Sequence, residues 1–547
     1  MHSPLARTPS WQTWGAYGLL FLIFVTITYD HSKAWNNPNR GDQDLDLTLG
    51  LKIRHFEALS DAYHHPLLPA LVAPFAERTL IYFAKAKLVN VAIGVLAFWV
   101  IAWVGLRLVG SAPTFLALIA IAPGLSNKSA EFTAEPLLLM LVVLTFYCLV
   151  RGFERPRFWA LAGASAGFAY LTKGSGLLLL LAYALTVCRS APKPVLTPRF
   201  WLFPLAFVLV ASPLLAYNWR VFGSPIFNYN TAHVIWLDYT EEQMIMFGKG
   251  LPTIFSYLAT HSLADILHRF LRGLVHVRGV EWVWPFLVAF VFIPKRWFTY
   301  FQVPPTKQPM VMVASSLVLT FYLAFSWSAV AQRGMRFLLP IFPIIFLMLA
   351  DILVFYAARL VCRWWPSPRP ERLTGLAMCG LLVALSVVWL VQVSWRDFYA
   401  PLAIDFEDQA TAEMYRLLDT PAFDGKQVLF GPSHEFTGTW LFRHHVTFPI
   451  IPPGLSAAEF VAWLKRAGID YILANREMIK RRRHSVGEYL AYLPGEGVQI
   501  LRLESEWEVV YQGPPPSRFV LIRVRQAEPQ PKSPTCVLPA GGEGGRW

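Results

Sequence analysis

"NRGDQDLDLTLGLKIRHFEALSDAYHHPLLPALVAPF", residues 39–75, places Asp42, Asp44, Asp46 and the pair His64 and His65 just after a run, 12–29, that reads as a membrane span. Carboxylates and imidazoles are costly in hydrocarbon, so this stretch either faces water or lines a site. The rest of the chain decides which.

Composition sets the solvent. The chain has 547 residues, 55% of them hydrophobic and 15% charged, with a mean hydropathy of +0.42, too apolar for a soluble chain of this length. Long uncharged runs fall near 12–29, 88–106, 111–123, 133–150, 158–172, 174–188, 201–218, 282–294, 309–330, 336–357 and 373–394. They predict a polytopic α-helical membrane protein with about eleven or more transmembrane helices, the shorter ones bent, tilted or sunk among neighbours. The first run has no small-residue cleavage site and reads as a retained span.

Basic residues orient the spans, because Lys and Arg in short loops stay in the cytoplasm. With a cytoplasmic N-terminus, every inward loop is basic: Arg107; Arg151, Arg155 and Arg157; Arg189, Lys193 and Arg199; Lys295, Arg296 and Lys307; Arg359, Arg363, Arg369 and Arg372. The net charge of +13 is therefore mostly a topology signal. Spread over short loops, it does not form the basic stripe of a nucleic-acid binder. The five cysteines show no CxxC and no metal spacing and read as packing residues.

On this topology residues 1–395 form a multi-span domain with external loops 31–87 and 219–281. Residues 396–525 form a small extracytoplasmic α/β domain, and 526–547, rich in Pro and Gly, a disordered tail. In the α/β domain "KQVLFGPS" and "GIDYILANR" read as buried strands, and "SAAEFVAWLKRAG" as an amphipathic helix with a Ser cap and a Gly stop. "EWEVVYQG" and "RFVLIRVR" read as a final strand pair.

The opening stretch then begins the first external loop. "DLTLGLKIRHFEAL" has the spacing of an interfacial helix, with Leu47, Leu51 and Leu59 on one side. By itself the acidic run is explained by solvation and by helix N-terminal capping. Three other features point to a site. Glu131 and Glu135 in "NKSAEFTAEPLLLM" lie one turn apart, with Glu135 at the mouth of the fourth span; an ordinary N-terminal helix charge is the competing reading. Lys173 in "AYLTKGSGLL" stands between two apolar runs, where snorkelling is the alternative. Arg220, Arg333 and Arg336 sit at external span ends against the positive-inside bias and call for an anionic partner such as a phosphate head group.

The ordered segments "GDQD", "HHPLLPALVAPF", "FTAEPLLL", "AGFAYLTKGSGLL", "SPLLAYNWRVFGSPIF" and "RFLLPIFPIIFL" resemble the GT-C superfamily of integral-membrane glycosyltransferases. The nearest branches are the protein O-mannosyltransferases and the lipid A aminoarabinose transferases. The resemblance covers roughly residues 10–360. It implies a GT-C-like fold, a catalytic Asp in the first external loop, and a polyprenyl-phosphate-linked sugar donor for an extracytoplasmic acceptor. Asp42 fills the catalytic place; its neighbour is Gln43 where the family commonly has an acid, so Asp44 stays a candidate. Glu135 takes the second acidic position. Lys173 and Arg333 or Arg336, with Lys85 in addition, match the residues that hold the lipid phosphate. Apart from the resemblance, His64 and His65 precede Pro66 in a turn and read as structural or substrate-orienting, with a share in holding a divalent cation as the alternative.

These residue types suit the chemistry. A carboxylate can take the proton of an attacking hydroxyl, and Arg and Lys can stabilise a departing phosphate. A divalent cation would supply similar charge, but no metal site is predicted. Placement is expected in the inner (plasma) membrane, among membrane lipids. Two other classes remain at this stage: a transporter or lipid flippase, which would carry broken helices near the midplane, and a non-catalytic envelope assembly protein.

Overall fold

The computed structural model describes residues 11–34, 43–190, 197–237, 252–293, 300, 307–328, 337–364, 380, 416–430, 451, 455–481, 483–512 and 519–525. The expected span at 373–394 lies almost wholly outside them.

The apolar runs fold as helices: α1 (Trp11–Ala34), α4 (Leu80–Leu108), α5 (Ser111–Ala130), α6 (Glu135–Gly152), α7 (Arg157–Thr172), α8 (Leu178–Ser190) and α9 (Pro198–Phe222). Between α1 and α4 lie α2 (Gln43–Arg54) and α3 (Leu67–Val72). After α9 come α10 (Tyr229–Ala232), α11 (Ile254–Thr260), α12 (Leu263–His276), α13 (Val280–Leu287), α14 (Lys307–Ser328) and α15 (Phe342–Trp364). Five helical segments among the described residues are long and apolar enough to cross a membrane: Ile81–Leu108, Glu135–Gly152, Pro198–Phe222, Lys307–Ser328 and Leu339–Leu360. A sixth arises if Leu263–His276 and Val280–Phe292, bent by 95°, count together. The figure of eleven therefore stands above what the described helices establish.

Small residues set the closest helix contacts. Gly163 and Gly167 lie four apart on α7 and face α9; a Cβ on Gly163 would stand 2.1 Å from the Phe203 carbonyl oxygen, and one on Gly167 2.8 Å from Val210 Cβ. This is the small-xxx-small solution for helices that lack a hydrophobic drive to associate in lipid. Ser165, on the same helix, donates to the Leu141 carbonyl at 2.9 Å and ties α7 to α6.

The external segment expected at 219–281 contains α11 and α12, the latter strongly amphipathic. One expectation changes. The interfacial helix predicted from Asp46 to Leu59 stops at Arg54, so Leu59 is no part of it, although Leu47 and Leu51 are buried together as expected.

The C-terminal region has its own apolar cluster. β1 (Val428–Phe430) runs parallel to β2 (Tyr471–Asn475), and β6 (Phe519–Val524) pairs antiparallel with both β2 and β5 (Trp507–Gln512). A separate hairpin joins β3 (Leu490–Leu493) to β4 (Gly497–Ile500). The predicted helix forms at Ala457–Arg466; Ser456 and Glu459 close a capping box, and Gly468 takes φ +67° just past its end.

Candidate active site

α2 begins with carboxylates where the helix dipole favours them, yet Asp44 and Asp46 are buried, 0% and 4% exposed. Solvation of a loop therefore does not account for either. Gln43 fixes the start of this helix: its Oε1 accepts from the Phe132 amide at 2.8 Å, joining α2 to the α5–α6 connection. Asp42, the preceding residue, lies outside the described residues.

Three residues beyond Phe132, Glu135 opens α6 and is 2% exposed. Lys173 Nζ donates to its Oε1 at 2.7 Å. Lys173 is itself the extended residue where α7 ends and a short 3-10 turn, Gly174–Leu177, begins. Its ammonium also lies 5.8 Å from the centre of the Phe337 ring. Phe337 directly follows the segment that carries Arg333 and Arg336, both of which lie outside the described residues.

The two histidines separate in role. His64 Nδ1 is 2.9 Å from Asp61 Oδ2, and Asp61 Oδ1 accepts from the amides of Tyr63 and His64 at 2.9 and 2.6 Å. Burial pushes the Asp61 carboxyl up, but the charge and hydrogen bonds of His64 and the Tyr63 amide outweigh it, leaving it below the usual range. His65 points inward, 5% exposed, with Nε2 3.3 Å from Asn228 Nδ2. Asn228 also donates to the Tyr63 carbonyl at 2.9 Å. His65 Nε2 would lie 3.2 Å from a Cβ on Gly174, so the imidazole packs directly on the turn after Lys173. Burial, reinforced by the neighbouring His64, lowers its pKa to about 4.

One end of the bundle thus gathers Gln43 with Phe132, Glu135 with Lys173, Lys173 with Phe337, and Gly174 with His65 and Asn228. Lys85 stands apart from these pairs; it is half exposed and 3.5 Å from Glu77. The lysine that α4 buries is Lys87, 1% exposed, which donates to the Ser32 carbonyl at the end of α1 and lies 5.3 Å from the Phe83 ring centre. Two residues along a helix point to nearly opposite sides, so one of the pair must face in when the other faces out. Sequence reading missed Lys87 for that reason, and it missed Asn228 because an Asn between loop residues carries no signal of its own. Among the described residues no three His, Cys, Asp or Glu side chains gather as a metal-ligand set.

Residues 66–217 match the family described as dolichyl-phosphate-mannose-protein mannosyltransferase. The fold is similar to ArnT from Cupriavidus metallidurans bound to undecaprenyl phosphate, with a TM-score of 0.52 and 14% identity over 92% of this chain and 97% of that one. It is similar also to the oligosaccharyltransferase AglB from Archaeoglobus fulgidus in complex with an inhibitory peptide and a dolichol-phosphate, with a TM-score of 0.52 and 11% identity over 90% and 74%. No curated protein matches the sequence. The resemblance to GT-C membrane glycosyltransferases read from the ordered motifs is borne out.

Proposed function

We propose that the chain is a membrane glycosyltransferase that moves a sugar from a polyprenyl-phosphate donor to an extracytoplasmic lipid, glycan or protein acceptor. The observation that carries this reading is the buried Glu135–Lys173 pair at the end of the bundle where α2 begins. A carboxylate removed from water beside an ammonium that keeps 26% of its side chain exposed combines an acid with a cation still accessible to an anion.

In this reading Asp42, with Asp44 in reserve, takes the proton of the acceptor hydroxyl as its oxygen attacks the anomeric carbon. The bond from that carbon to the phosphate oxygen breaks, its electron pair leaves with the polyprenyl phosphate, and the anomeric centre inverts. Lys173, with Arg333 and Arg336, carries the phosphate charge. Glu135 orients the acceptor and holds Lys173 until the phosphate competes for it. His65 holds the Lys173 turn in place, and His64 braces the adjoining turn through Asp61. The topology proposed with it puts the N-terminus in the cytoplasm, and loop 31–87 and residues 396–525 outside an inner (plasma) membrane.

The test uses the full chain in nanodiscs, polyprenyl phosphate for binding, and a panel of polyprenyl-phosphate hexoses and pentoses for turnover. Asp42→Asn should lower turnover by roughly 10² to 10⁴ with binding of polyprenyl phosphate retained. Glu135→Gln should lower turnover while tightening phosphate binding, because Lys173 is released. Near-normal turnover in both Asp42→Asn and Asp44→Asn, or no binding of polyprenyl phosphate by the unaltered chain, overturns the reading.

A further inference from the structure

α12 is built to be covered on two sides by different things. Its inner face is settled by contacts with α14. Gly273 lets the Ser326 carbonyl approach to where a Cβ would stand 1.8 Å away, and Tyr322 donates to the Leu274 carbonyl at 2.5 Å. Arg269, 5% exposed, lies 4.6 Å from the Trp327 ring centre and donates to the Ile235 carbonyl at 2.9 Å. The outer surface carries two parallel stripes. Leu263, Leu267, Leu271 and Val275, spaced by four, are 80%, 53%, 52% and 65% exposed. His268, Arg272 and His276, each one position further on, are exposed beside them.

We propose that α12 lies flat on the membrane surface, with its leucine stripe in the acyl boundary and its basic stripe on anionic phospholipid head groups. Two observations choose this occupant over a protein partner. The first is continuity: past Gly279, at φ +95°, the chain turns by 95° into the apolar segment Val280–Phe292, whose Trp282, Trp284, Val288 and Phe292 are exposed like the leucines. A stripe continuous with a membrane-entering segment is solvated by the same lipid. The second is charge: the polar stripe carries Arg272 with His268, His276 and the single carboxylate Asp265, and Arg278 at the bend adds a second guanidinium, so two cations stand beside the leucines where an in-plane amphipathic helix meets an anionic leaflet. The inference does not depend on the roles proposed for Asp42, Glu135 or Lys173.

The test is cysteine accessibility in the full chain reconstituted in nanodiscs of phosphatidylcholine and phosphatidylglycerol, which expose both membrane faces. Single variants Asp265→Cys, Leu267→Cys, Leu271→Cys and Arg272→Cys are treated with a water-soluble maleimide and read peptide by peptide by mass spectrometry. Labelling at 265 and 272 with protection at 267 and 271 is expected. Labelling at all four positions means a water-facing stripe suited to a protein partner, and protection at all four means a re-entrant or spanning segment; either overturns the proposal. Phosphatidylglycerol affinity, read by native mass spectrometry, should fall about fivefold in Arg272→Gln. Unchanged affinity in both Arg272→Gln and Arg272→Gln/Arg278→Gln overturns the head-group assignment.

Discussion

His65 is enclosed as a neutral imidazole, and that has a consequence for stability. Its ring stands edge-on to Tyr170 at 5.0 Å, its Nε2 meets Asn228 and it is 5% exposed, so protein groups surround the imidazole. With the folded value lowered to about 4 and the unfolded one near 6.5, the unfolded chain binds a proton that the folded chain refuses. Stability is therefore complete above about pH 6.5 and declines as pH falls from there towards 4. From pH 7 to 5 the loss should be about 2 kcal/mol, visible as a falling thermal midpoint in detergent or nanodiscs. His65→Gln should start lower but lose most of this slope; an unchanged slope would assign the titration elsewhere. Lys173 carries a related lesson. As an exposed cation at a span end it looks dispensable for folding, but the structure makes it the counter-charge of buried Glu135. Removing it takes a counter-charge from a buried carboxylate, which costs stability.

Among elements, the α7–α9 contact leaves no room for an added methyl. Gly163→Ala puts a methyl against the Phe203 carbonyl oxygen, a backbone atom that cannot rotate away, and overpacking of this kind costs about 1–3 kcal/mol. The thermal midpoint of Gly163→Ala should drop clearly, whereas Gly15→Ala and Gly18→Ala on α1, with nothing within 4 Å of the added carbon, should hold or rise. Equal midpoints for the three variants would sink the idea that α7 and α9 are in glycine-mediated contact. The spacing of Gly163 and Gly167 was open to reading, but which helix they face was not, since the partner follows from how the bundle closes.

For the whole molecule, sidedness fixes where donor and acceptor meet. Basic residues recur on alternate loops, so in intact cells a cysteine introduced at Glu57, an exposed residue just after α2, should react with an impermeant reagent. One at Arg363, near the end of α15, should react only after the membrane is opened. Outside labelling at 363 would reverse the orientation, and with it the side on which donor and acceptor are proposed to meet.

What the sequence determined by itself is whatever depends on neighbours along the chain. Hydropathy runs predicted the helices of a membrane protein, a Ser cap and a following Gly bounded Ala457–Arg466, and two β-prone apolar runs near the end of the domain marked β5 and β6 as a pair. Tertiary structure alone decided the relations between distant segments. It chose Lys87 over Lys85 for the interior, paired Glu135 with Lys173 across 38 positions and His65 with Asn228 across 163, and turned the chain by 95° after α12. The reason is physical: a helix or a cap closes its hydrogen bonds within a few residues, whereas a buried charge is tolerated only beside a partner, and the packing of the bundle selects which partner that is.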